Sequence, residues 1–239
     1  MSKVGQTVRT VFVLALPIMA SYVAIGLPCG VLEAQCGLTP WMAFLLSVTL
    51  YSGAGQFMMC NLWIAGTPLA TIAVSVSAVS LRQALYSASL APYLERSHGA
   101  AKLAALLTVT DESYGANLSK FQDDERWTAA DSLALNIMCM LSWASANAVG
   151  VVIGAAVDIP TAIASFAMTS LFICLWLTQP ATRANIVAAA GSIVGVIAFK
   201  AIGLTSVAVP CGAVAGVVLA CVRGRVRGAE PRTDAGAGA

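Results

Sequence analysis

The sequence predicts an all-α membrane protein, a polytopic transmembrane helix bundle of about seven or eight spans, with some spans candidates for broken or re-entrant helices. Three observations predict it. Of 239 residues, 59% are hydrophobic and only 10% are charged, against roughly 25% charged in a soluble domain. Mean hydropathy is +0.83. Uncharged runs also repeatedly reach the roughly 20 residues that a helix needs to cross a bilayer. No soluble fold of this length buries so much apolar surface while leaving so little polar surface for water, so the missing solvent is lipid. A net charge of +2 is too small to suggest nucleic acid.

The spans follow in order. Thr10–Leu32 is uncharged behind Lys3 and Arg9, and is too long for a signal peptide's apolar region, so it reads as a retained first helix, Val11–Leu32. Ala34–Leu81 carries no charge, which is room for two crossings, Trp41–Leu62 and Pro68–Leu90, divided by Gly66-Thr67-Pro68. Further uncharged runs predict Ser132–Val157, Pro160–Leu177, Ala184–Lys200 and Thr205–Val222. Leu103–Gly115 is shorter and reads as an eighth segment, a half-helix or re-entrant piece.

Lys120 and Arg126, then Arg183, then Arg223, Arg225 and Arg227 fall in alternate loops, and Lys3 and Arg9 precede the first span. The positive-inside rule places both termini in the cytoplasm. Two cytoplasmic ends need an even number of crossings, which Leu103–Gly115 would supply. The difficulty is that Arg96 and Lys102 then lie outside. The expected organisation is one transmembrane transport domain over 1–222 and a cytoplasmic, disordered Gly/Ala-rich tail over 223–239. There is no P-loop.

The seven cysteines form no CxxC pair and mostly lie in apolar runs, and His98 is the single histidine. They read as small core residues, so no metal site, disulfide framework or cofactor is expected.

Polar groups within a membrane are costly, so each needs a reason. Ser52, Gly53, Gly55 and Gln56 fall inside the Trp41–Leu62 run. Each glycine weakens a helix by about 1 kcal/mol relative to alanine. Either the helix breaks there and offers backbone groups to a solute, or small residues allow close packing. Arg82 lies 14 residues after Pro68, roughly 21 Å along a helix. It needs an anion, water, or a route to the headgroups. Asp111 and Glu112 follow in Thr108–Tyr114, where a carboxylate pairs with Arg82, binds an ammonium or carries a proton, or both are solvated at a helix end. Adjacent acids point about 100° apart, so both cannot face one partner. Asn136, Asn147 and Gln179 read as interhelical hydrogen-bonding groups, and Glu33 and Lys200 as charges near span ends.

At these residues the sequence resembles the AzlC family of bacterial branched-chain amino acid exporters. Ser52-Gly53-Ala54-Gly55-Gln56-Phe57-Met58, Gly66-Thr67-Pro68-Leu69-Ala70, Ser80-Leu81-Arg82-Gln83-Ala84-Leu85-Tyr86-Ser87 and Thr110-Asp111-Glu112-Ser113-Tyr114 match that family's segments in order and spacing, within residues 10 to 220. Ser80 and Gln83 depart from the family's asparagine and histidine. The resemblance implies a bacterial cytoplasmic-membrane exporter of neutral branched-chain amino acids, working with a small AzlD-like membrane subunit.

A secondary transporter would bind a small neutral amino acid through Ser52, Gly53, Gly55, Gln56, Arg82, Asp111 and Glu112. The alternatives are a non-catalytic subunit or channel of a transport complex, or an intramembrane serine hydrolase using Ser52. The last is disfavoured, because a serine nucleophile needs an adjacent base and His98 lies in the charged Glu95–Lys102 loop. The chain is therefore not expected to be an enzyme.

Overall fold

The computed structural model describes residues 3–95, 99–124, 126–157, 166, 169–170, 173, 177, 182–203 and 208–228. Every regular element among them is helical. They are α1 (Lys3–Gln35), α2 (Pro40–Thr49), α3 (Gly53–Ile64), α4 (Leu69–Leu90) with a 3₁₀ turn at Ala91–Leu94, α5 (Ala100–Leu107), α6 (Asp111–Asp123), α7 (Ala129–Ala156), α8 (Arg183–Ala201) and α9 (Ala208–Gly228). The expected Pro160–Leu177 span, Gln179, His98 and the tail beyond Gly228 lie largely or wholly outside the described residues. The helix of α9 runs on through Arg223–Gly228.

Among the described residues, three helices are long and apolar enough to cross a bilayer, within Val8–Gln35, Leu69–Leu94 and Ala129–Ala156. Their outer faces carry large exposed apolar side chains such as Phe12, Val74, Leu81, Leu85, Leu141 and Val152. Such faces would drive aggregation in water and suit lipid.

The chain forms two compact units, Met1–Leu171 and Phe172–Ala239. In the first, α1 and α7 pack closely and run parallel. Met19 accepts from Ser142 Oγ (3.1 Å) through its carbonyl. Farther along, Gly26 meets Ala146, Gly30 meets Asn147 and Gly150, and Gly154 meets Val31 and Ala34. Residue numbers rise together on the two helices, so the direction is the same. Without a hydrophobic drive between helices in lipid, small residues give association its close van der Waals contact. In the second unit, α8 and α9 pack antiparallel, with Gly191 against Gly216 and Gly195 against Gly212.

Two expected segments are interrupted, for chemical reasons written in their residues. Trp41–Leu62 is α2 and α3 separated at Leu50-Tyr51-Ser52. Ser52 is the N-cap of α3 and its hydroxyl accepts from Gly55 N (3.3 Å). The glycines therefore sit in the first turn of α3 and not in the gap. Leu103–Gly115 is parts of α5 and α6, separated at Thr108-Val109-Thr110. Thr110 and Ser113 form a capping box, and Asp111 and Glu112 occupy the first turn of α6, where negative charge meets the positive end of the helix dipole. Between α6 and α7, the Arg126 backbone N–H beside Asp124 holds that exposed carboxyl below its usual range.

Candidate functional site

Backbone leaving a helix inside a membrane must find hydrogen-bond partners from protein, and both gaps find theirs. At the α2–α3 gap, Gln83 Nε2 of α4 donates to the Tyr51 carbonyl (2.7 Å). At the α5–α6 gap, Ser87 Oγ of α4 donates to the Leu106 carbonyl (2.6 Å). Asn136 Nδ2 of α7 donates to the Ala105 carbonyl (3.0 Å) and lies 3.2 Å from Thr108 Oγ1. Asn117 Nδ2 donates to Asn136 Oδ1 (3.0 Å), and Trp127 Nε1 donates to Asn117 Oδ1 (3.2 Å). Asn136 thus makes the interhelical bonds expected of it. The side chain of Asn147 instead donates to its own helix, at the Trp143 carbonyl (2.8 Å).

The stretch Ser80–Ser87 of α4 therefore reaches both gaps, and between the two bonds lies its charge. Arg82 Nη2 is 2.9 Å from Asp111 Oδ2, with side-chain exposures of 31% and 22%. Arg82 Nε and Asp111 Oδ1 are buried without hydrogen-bond partners. The pair so retains a donor and an acceptor that its own geometry does not use. Glu112 turns elsewhere, as adjacent helical residues must. Its Oε2 accepts from the Tyr22 hydroxyl of α1 (2.8 Å), and that hydroxyl lies 2.6 Å from Thr110 Oγ1. The Tyr51 hydroxyl, in the α2–α3 gap, is buried without a partner, and Tyr22, Thr110 and Glu112 are among its neighbours. Beside the ion pair, Tyr86 stacks on Tyr114 with centroids 4.8 Å apart.

Gln56 belongs to a second polar group. Trp143 Nε1 of α7 donates to Gln56 Oε1 (2.5 Å). Gln56 Nε2 donates to Glu33 Oε1 of α1 (3.0 Å) and to Ser47 Oγ of α2 (2.8 Å). Trp143 joins the two groups: its ring meets Tyr22 edge-on at 5.6 Å and lies over Gly53, where a Cβ would come within 3.1 Å of it. Gly55 is likewise close-packed, against Ser52 and Val76.

Of the seven residues singled out in the sequence, Arg82 and Asp111 are brought into contact and Glu112 lies beside them. Ser52, Gly53, Gly55 and Gln56 form the first turn of the facing broken helix and its cap. The sequence reading missed Tyr22, Ser47 and Trp143, which are ordinary residues of apolar runs until the helices meet. It placed Glu33 near a span end, as it is, but gave it no special role, and the side chain is fully buried there. Among the described residues no group of three or more His, Cys, Asp or Glu side chains could hold a metal ion. An open groove of about 550 Å³ between α1 and α7, lined by residues including Met19, Val23 and Leu141, contains none of these charged groups.

Long apolar helices, two interrupted helices and a charged pair held where the interruptions meet define a multi-pass membrane protein with an internal polar centre. The AzlC protein family matches residues 17–157, and the chain belongs to that family. It is 25% identical over 214 residues to the inner membrane protein YgaZ of Escherichia coli, covering 87% of this chain and 85% of the relative. It is also 25% identical over 182 residues to the branched-chain amino acid transport protein AzlC of Bacillus subtilis, covering 74% and 70%. An uncharacterised membrane protein of Archaeoglobus fulgidus is 27% identical over 215 residues, covering 88% and 93%. No solved structure matches the chain.

Proposed function

We propose that this chain is a secondary transporter that exports small neutral, branched-chain amino acids across a bacterial cytoplasmic membrane, and that it is not an enzyme. The Arg82–Asp111 pair at the meeting of two broken helices carries the proposal. A zwitterion needs one cationic and one anionic contact. Arg82 offers a guanidinium to its carboxylate, and the unpartnered Asp111 Oδ1 accepts from its ammonium. Ser52, Gly53, Gly55 and Gln56, in the cap and first turn of α3, are proposed as further solute contacts, with Glu112 beside Asp111 as another. Exchanging one ion pair for two pairs with the solute gives a way to bind it without leaving either charge alone.

The proposed topology has eight crossings. Because α1 and α7 are parallel, an odd number of crossings separates them. The α2–α3 pair, α4 and the α5–α6 pair supply three. Beyond α7 the count of eight rests on the uncharged runs of the sequence, and the cytoplasmic end on Arg223, Arg225 and Arg227. The transport unit spans 1–222, and the remainder, 223–239, is a cytoplasmic tail.

The relative named for branched-chain amino acid transport supports this substrate class, and the partner is proposed to be a small AzlD-like membrane subunit. Leucine counterflow in proteoliposomes tests both. With the partner co-reconstituted, external labelled leucine exchanges for internal leucine, isoleucine or valine; without it, exchange is weak. Full exchange by this chain alone contradicts an obligate partner. No exchange of any of the three with the partner present contradicts the substrate class.

A further inference from the structure

Glu33 lies outside the Arg82–Asp111 pair and is given no contact with the solute. It is fully buried near the end of α1. Its Oε1 accepts from Gln56 Nε2 (3.0 Å), and its Oε2 is buried without a partner. The groups that face it are Cys29 of its own helix, Cys36 in the turn that follows it, and Gln56 and Cys60 of α3. Beyond Gln56 stand Ser47 of α2 and Trp143 of α7. None of these is cationic. A buried carboxylate without a cation is among the most costly groups a membrane protein can hold, and natural examples mark ion or proton pathways.

A proton removes that charge using a single oxygen. A metal cation instead requires several oxygen ligands, and the neighbouring oxygens are engaged. Gln56 Oε1 is taken by Trp143 and Ser47 Oγ by Gln56 Nε2, leaving Glu33 Oε2 alone.

We propose that Glu33 is a proton-binding site whose occupancy α3 senses through Gln56, so that a proton is the ion exchanged against the solute. The coupling half of this inference rests on the transporter reading; proton binding does not. The proton arrives from water on one face, forms an O–H bond at Oε2, and leaves to water on the other; no other bond changes. When it leaves, the carboxylate holds the Gln56 amide by a charge-assisted bond. Gln56 stands four residues past the Ser52 cap, and its other end holds Trp143, whose ring contacts Gly53 and Tyr22. Tyr22 donates to Glu112, next to Asp111. A physical chain thus runs from Glu33 to α6, whose first turn carries Asp111 of the charged pair.

Infrared difference spectra of the purified protein across pH test the site directly. The wild type is expected to show a protonated-carboxyl carbonyl band that disappears as pH rises. Glu33→Gln lacks it, Glu33→Asp moves it in frequency, and Glu112→Gln keeps it. A band that survives unchanged in both Glu33 variants overturns the proposal. In proteoliposomes, Glu33→Gln is expected to lower the ratio of proton-gradient-driven leucine accumulation to leucine counterflow by more than about tenfold, as loss of a coupling of ordinary size requires. An unchanged ratio, or wild-type accumulation driven by a sodium gradient and not by a proton gradient, overturns the coupling. A Glu33-dependent band in a protein that exchanges no leucine supports the proton site and removes the leucine reading alone.

Discussion

Arg82→Gln and Asp111→Asn are each expected to abolish leucine exchange while leaving the protein inserted in the membrane. Each removes one of the two contacts proposed for the zwitterion and strands the other charge of the 2.9 Å pair. A hydrogen bond to a charged group contributes about 1.5–3 kcal/mol, which is roughly 10- to 100-fold in binding. Stability should respond differently. Each single variant leaves a half-buried charge without its partner and should lower the thermal midpoint. The double variant removes both charges and should recover part of the loss. Transport should not recover with it. That divergence separates a binding role from a structural one, because a purely structural pair would restore exchange along with stability. Arg82→Lys should restore little of either, since an ammonium lacks the planar fork that engages a carboxylate at two points.

The second large effect is steric and lies away from the charges. A Cβ at Gly30 would overlap the Asn147 carbonyl, which is backbone and cannot rotate aside. Gly30→Val should therefore separate α1 from α7 and take with them the Tyr22–Trp143 contact that joins the two polar groups. Overpacking of this kind costs about 1–3 kcal/mol and sometimes more, so little folded protein should accumulate. Gly115→Ala is the matched control. Nothing lies within 4 Å of a Cβ there, and alanine in mid-helix should add about 1 kcal/mol of stability. Size-exclusion recovery and thermal unfolding in detergent report both. Wild-type recovery of Gly30→Val would refute the close parallel packing of α1 on α7.

The class of fold was legible because lipid-facing helices leave a simple record, namely long uncharged runs. The interruption near Ser52–Gln56 was legible as one of two readings, because serine and two glycines in mid-span are poor helix residues. Its position was not. Ser52 caps the following helix, so the gap falls just before the motif, and the Gln83 bond that satisfies Tyr51 comes from another helix. Arg82 had few possible anions in an uncharged set of helices, which brought Asp111 and Glu112 to attention. Which acid it meets is set by the phase of α6 after the Thr110 cap. Glu33 was passed over for a physical reason. A carboxylate near a helix end normally reaches the headgroups, and only the arrival of Gln56 and Cys60 from α3 encloses this one. Tyr22 and Trp143 carry no signal of their own, since their polar atoms acquire partners from helices 87 to 90 residues away.

Competition for leucine binding to the purified protein, co-reconstituted with the proposed small AzlD-like subunit, tests most directly whether the charged pair reads a zwitterion. Labelled leucine should be displaced by unlabelled leucine, isoleucine and valine. Neither 3-methylbutylamine, which lacks the carboxylate, nor 4-methylpentanoate, which lacks the ammonium, should displace it at comparable concentration. Arg82→Gln should bind no leucine. Displacement by either single-charge analogue as effectively as by leucine, or undiminished leucine binding by Arg82→Gln, would contradict the assignment of Arg82 and Asp111 as the two contacts.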